Sequence, residues 1–214
     1  MALERRLFER KRTVLIEESM DRLEFLVEER SMAEVLKVLL PRILPASWVL
    51  DENYFIRPHE GKSDLKRSIP KKLKGFAQHK EQTTGFIIIQ DQDSNDCRQL
   101  KQELVALCKA NQAPNIKFLV RIVCHELEAW YLGDMKVIQA VFPRFNPARH
   151  LKKSLFRLPD TCQNPKTRLK DIVGDYQQIA TAQMIAPYID IEHNRSESFR
   201  QFVSGIRKFI TAKR

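Results

Sequence analysis

No C-x-x-C pair occurs in this chain. Its four cysteines, Cys97, Cys108, Cys124 and Cys162, stand far apart, which argues against a zinc ribbon and against a dense disulfide framework. Free thiols in a reducing compartment are expected instead. A long apolar run is also missing. The opening stretch, residues 1–22, mixes charges of both signs and holds no segment apolar enough for a signal peptide or a membrane span. Secretion and a membrane partner are therefore not expected, and a cytoplasmic location is. Internal repeats and low-complexity segments are absent as well, and nothing in the composition marks a long disordered tail.

What is present is a chain of 214 residues, enough for one well-filled core with extensions or a small helical annex. Its 43% hydrophobic and 30% charged residues suit a folded enzyme or binding domain. The formal net charge of +10 attracts phosphate backbones, whose counterions are released on contact. A positive surface also serves solubility alone, so the charge becomes an argument for a nucleic-acid partner only beside a site.

The hydrophobic period alternates along the chain. Leu23 with Phe25–Val27, Tyr54–Ile56, Phe86–Ile89 and Phe118–Val123 read as four buried strands. Between them lie helical patterns: Val35–Leu40 opened by Ser31-Met32-Ala33-Glu34 as a capping box, a helix after Ser63 that Pro70 breaks or restarts, and Leu100, Leu104 and Leu107 behind Asp96. This order predicts an α/β fold with a mainly parallel, Rossmann-like sheet, helices on both faces and helical extensions. The division expected is a helical extension over 1–21, the α/β domain over 22–133, and a basic, mostly helical, proline-interrupted extension over 134–214 that ends in an amphipathic helix through Phe202, Ile206 and Ile210.

Three of the four strands end in acidic residues, at the edge where ligands bind in such sheets. Asp91-Gln92-Asp93 brings two hard oxygen donors to one strand end, a pattern suited to Mg²⁺ or Mn²⁺, although aspartates there also cap turns and helices. Glu28 adds a third carboxylate from the first strand. As a strand-end group it is expected to face solvent or metal and not the core, with Glu29 pointing to the opposite face.

The pairing of Phe25-Leu26-Val27-Glu28 with Ile87-Ile88-Ile89-Gln90-Asp91-Gln92-Asp93 resembles the TOPRIM signature, shared by topoisomerases, bacterial primases and OLD-type nucleases. With His59 to Leu65, Glu126-Leu127-Glu128-Ala129-Trp130 and Asn194-Arg195-Ser196, the chain looks like a poorly characterised bacterial family of TOPRIM-like proteins associated with ATPases in defence-type gene clusters. It departs from the signature at Glu29, where a glycine is usual, and at Met32, where an acidic residue is often found. The resemblance implies metal held by Glu28, Asp91 and Asp93, nucleic acid as substrate, and a separately encoded ATPase as a partner.

Around that core the sequence offers Glu126 and Glu128, at least one of which is expected to face the site; the alternative is that one pairs with Arg121 or another base while Trp130 is simply core. His59 and Lys62 sit in a loop placed to contact a phosphate or assist proton transfer; Gly61-Lys62-Ser63 lacks the upstream glycine of a nucleotide-binding loop. Lys66, Arg67, Lys71, Lys72 and Lys74 form the densest basic run, a candidate nucleic-acid groove or a solvated helix face, and Arg195 is a further candidate contact. Aromatics arranged for base stacking are not evident. Two readings follow: a Mg²⁺- or Mn²⁺-dependent phosphodiesterase acting on DNA or RNA, or a noncatalytic TOPRIM-like module that binds nucleic acid or an ATPase.

Overall fold

The computed structural model describes residues 20–211; most of the helix expected over 1–21 lies outside them. Four parallel strands, β1 (Arg22–Val27), β2 (Tyr54–Pro58), β3 (Thr84–Asp91) and β4 (Ile116–Val123), form one sheet in the order β2-β1-β3-β4. Helices α1 (Arg30–Ile43), α2 (Lys62–Ala77) and α3 (Cys97–Lys109) connect them. The remaining helices follow as α4 (Glu128–Leu132), α5 (Met135–Val141), α6 (Ser154–Arg157), α7 (Pro165–Val173), α8 (Gln178–Ile185) and α9 (Glu197–Thr211).

Alternation along the strands divides the interior in two. Leu26, Phe86, Ile88 and Val120 face Leu65, Ile69 and Leu73 of α2 and Leu100 and Leu104 of α3. Phe25, Val27, Ile87 and Ile89 face the other way, in a larger core with α1, α4, α8 and α9. The sheet is thus covered on both faces, which is why β3 carries the uninterrupted apolar run Phe86–Ile89. Residues from 134 onward share the larger core: Ile138, Phe156, Leu169, Ile185 and Phe199 are fully buried in it. At one junction Gly133 packs so closely that a Cβ there would stand 2.1 Å from Asn194 Oδ1.

Two local expectations are corrected. Pro70 lies inside α2 without ending it; Leu65, Ile69 and Leu73 carry one buried stripe across the proline and hold both halves against the sheet. The helix behind β1 starts at Arg30, not behind Ser31, so Ser31 falls in its first turn, and the Glu29 N-cap makes no side-chain capping bond. Asp96 does cap α3, accepting from the Gln99 N–H at 2.8 Å. The four cysteines are free thiols, and among the described residues no helix is long and apolar enough to cross a membrane.

Candidate functional site

Chain direction sets where the site lies. β1 leads outward through α1 to β2 on one side, and β3 leads through α3 to β4 on the other, so the connections diverge between β1 and β3. In parallel sheets a crevice opens at the carboxyl ends of such a pair. Val27 pairs with Ile89 in register, and the next residues are Glu28 on one strand and Gln90 and Asp91 on the other.

Glu28 is buried, at 9% exposure, contrary to the expectation that it faces outward. The loop entering α2 closes over it, with the Gly61 N–H bonded to the Glu28 carbonyl at 3.0 Å, and its Oε2 accepts from the Asp91 N–H at 3.3 Å. Burial, then the nearby Asp93 charge, push its carboxyl up to about 7, while the Asp91 hydrogen bond and Lys62 pull the other way. Glu29 takes a different direction, its Oε2 accepting from Gln178 Nε2 at 2.5 Å beside the start of α8.

Asp91 is held well above the usual carboxylate range, first by desolvation and then by Glu128, Glu28, Glu29 and Asp93. Asp93 is turned by a backbone at φ 52°, an uncommon region for a residue other than glycine. That turn is pinned to the loop after β4, where His125 has φ 57° and its carbonyl accepts from the Asp93 N–H at 2.8 Å. Lys62 Nζ reaches Asp93 Oδ2 at 3.3 Å from the first turn of α2.

The two glutamates after β4 separate. Glu126 Oε2 accepts from the Lys166 N–H at 3.0 Å and so caps α7. Glu128, 1% exposed, lies on the Asp91 side and accepts a hydrogen bond from the Tyr176 hydroxyl. Burial raises the Glu128 carboxyl, and the Tyr176 bond offsets part of that rise. The Tyr131 hydroxyl is buried without a partner, and its ionisation is opposed by burial and by Glu128 and Asp91. Sequence reasoning missed both tyrosines. Tyr131, three residues after Glu128 on α4, shares its helix face and was findable by spacing; Tyr176 lies in a distant loop and left no signal.

The other candidates disperse. His59 is 7% exposed, with Nδ1 donating to the Val27 carbonyl at 2.9 Å and Nε2 2.6 Å from Ser68 Oγ, so both ring nitrogens serve the scaffold. Lys66 pairs with Glu103 of α3 at 3.3 Å, and Arg67 with Asp64 at 3.7 Å. Lys71 and Lys74 are exposed and Lys72 is partly covered. They stand roughly 14–18 Å along α2 from Lys62 at the helical rise per residue. Arg195 is exposed, with Nη1 3.4 Å from the Phe156 carbonyl.

Among the described residues, no three His, Cys, Asp or Glu side chains are arranged to hold a metal by themselves. The donor chemistry nevertheless fits a hard dication. Glu28 and Asp91 are oxygen donors crowded against each other, and the Asp91 carboxylate makes no bond within the described chain. Mg²⁺ is commonly bound by one or two carboxylates, with waters and substrate phosphates completing its shell.

Fold and site together define a doubly wound α/β protein with a carboxylate cluster at its switch point. Over residues 27–207 the sequence matches the family described as "Domain of unknown function (DUF4276)", and the chain belongs to that family. No curated protein matches it. Among solved structures, the C-terminal region of the Xanthomonas campestris pv. campestris OLD protein is similar, with 14% identity, a TM-score of 0.46, and coverage of 89% of this chain and 96% of that one.

Proposed function

We propose that this chain is a metal-dependent phosphodiesterase acting on nucleic acid. The observation that carries the reading is the meeting of Glu28 and Asp91 at the switch point, where the Asp91 backbone N–H donates to the Glu28 carboxylate and both carboxyls are pushed toward protonation. Carboxylates crowded in this way repel one another, and a bound cation would remove that penalty. The resemblance of both strand ends to the TOPRIM signature supports the same residues.

Glu28, Asp91 and Asp93 would hold Mg²⁺ or Mn²⁺, which when bound supplies an activated water and neutralises charge developing on phosphate. The chain's own part is placement. Asp91 offers the carboxylate that lacks a protein partner. Lys62, paired with Asp93 and half exposed, is placed to meet a phosphate oxygen entering from solvent. Glu128, braced by Tyr176, stands behind Asp91, and its charge when ionised would add to the pull on a cation. Lys71, Lys72 and Lys74 would attract the backbone farther along α2.

A second reading, a noncatalytic module that binds nucleic acid or an ATPase, is favoured by one observation: no three ligating side chains converge among the described residues. One experiment separates them. The protein is incubated with Mg²⁺ or Mn²⁺ and single- and double-stranded DNA and RNA, with and without a separately encoded ATPase. Metal-dependent cleavage supports the first reading; polyanion binding with no cleavage under any condition supports the second.

A further inference from the structure

On the far side of Asp93 a cavity of about 490 Å³ opens between the loops after β3 and β4 and the start of α7, within the size range of small-molecule sites. Asp93, Gln92, His125, Glu126, Gln163 and Asn164 are among its walls. The two acids are already engaged, Asp93 with Lys62 and Glu126 with the Lys166 N–H. Gln92 is fixed too: its Nε2 donates to the Asn95 carbonyl at 2.9 Å and its Oε1 faces the His125 N–H at 3.3 Å.

What the cavity leaves unengaged is an imidazole edge and two amides. His125 Nδ1 lies 3.3 Å from the Asp93 carbonyl, which can only accept, so Nδ1 carries a proton and Nε2 is left at the outer edge of a flat ring. Asn164 occupies the N-cap position of α7 without capping it, while Glu126 does so from the loop after β4. Gln163 beside it makes no side-chain hydrogen bond within the described chain. Two amides, each with donors and an acceptor, and one imidazole match the edge and face of a nucleobase.

We propose that this cavity is a nucleobase subsite, read by Gln163 and Asn164 and flanked by the His125 ring. It would take the base of a nucleotide whose phosphate lies at the carboxylates, since Asp93 belongs to both. The proposal rests on the phosphodiesterase reading for that placement.

The test is a calorimetric titration of the full chain in Mg²⁺ buffer with the four ribonucleoside and four deoxyribonucleoside 5′-monophosphates, and with ribose 5-phosphate as the base-free control. At least one nucleotide is expected to bind about tenfold or more tightly than ribose 5-phosphate, and the ribose and deoxyribose arms report whether RNA or DNA supplies the base. Gln163→Ala with Asn164→Ala should erase that margin while leaving ribose 5-phosphate binding and the melting temperature unchanged; both residues are exposed, so the variant folds. Equal binding of nucleotide and sugar phosphate, no nucleotide binding, or a margin that survives the double variant would overturn the subsite. A margin carried by these amides in a protein that cleaves nothing would keep the subsite and remove the phosphodiesterase; cleavage without a margin would do the reverse.

Discussion

Glu28 Oε2 accepts a hydrogen bond from the Asp91 backbone N–H at 3.3 Å, tying the end of β1 to the end of β3 through the group that the two strand ends crowd. The bond stabilises the charged form of Glu28, yet burial and Asp93 outweigh it. The pair is therefore a place where the metal-free fold carries an electrostatic cost that a bound dication would remove.

That cost has a definite pH signature. Glu28 is raised from 4.5 to about 7, so the folded state holds its proton more tightly than the unfolded chain does. The stability this gives is fully present below about pH 4.5 and is lost as pH rises through about 7, at most about 3 kcal/mol for this group and less after solvent screening, with Asp91 acting in the same direction. Urea unfolding of metal-free protein from pH 5 to pH 8 should show the decline, and Glu28→Gln should flatten it and be at least as stable at pH 8. An unchanged slope in the variant would place the pH dependence elsewhere.

Asp91→Asn together with Asp93→Asn should weaken Mn²⁺ binding tenfold or more, because amides keep the volume and lose the charge that holds a hard cation. The fold should survive, since asparagine tolerates the left-handed backbone at position 93. Calorimetry on the folded double variant decides it, and undiminished affinity would make the two aspartates parts of a turn.

The strands and the acidic ends were legible for one physical reason. A parallel strand covered on both faces must be apolar throughout, so Phe86–Ile89 announces itself, and the polar residues that stop the run mark the carboxyl edge where Asp91 stands. Local signals failed where tertiary partners outbid them. Glu34, read as half of a capping box, is taken by Lys37 and by Gln183 of α8, and Ser31 lies 3.2 Å from Gln178 Nε2. Pro70 reads as a break because the rule concerns an isolated helix, whereas α2 is pressed on the sheet along its length. The burial of Glu28 and the reach of Tyr176 to Glu128 depend on loops distant in the chain, and no spacing encodes them.

The basic run on α2 should govern salt dependence. Binding of the protein to a polyanion should weaken steeply as salt rises, and replacing Lys71, Lys72 and Lys74 by alanine should lower the slope of log affinity against log salt by up to about 2–3, at slightly under one per phosphate contact. Fluorescence anisotropy at several salt concentrations measures it. A triple variant with the wild-type slope would put the backbone on another surface.

The carboxylates of β1 and β3 are proposed to act on nucleic-acid phosphates through a metal. The most direct test compares phosphodiester cleavage by the wild type, Glu28→Gln and Glu29→Gln in Mg²⁺ or Mn²⁺. Glu28 meets Asp91, while Glu29 is turned to Gln178. Glu28→Gln should remove at least about 100-fold of the cleavage rate, by loss of a metal ligand or of a proton-transfer group, while Glu29→Gln keeps most of it and both variants remain folded. Wild-type cleavage by Glu28→Gln with loss in Glu29→Gln would show the wrong glutamate in the site, and wild-type cleavage by both would remove β1 from the mechanism.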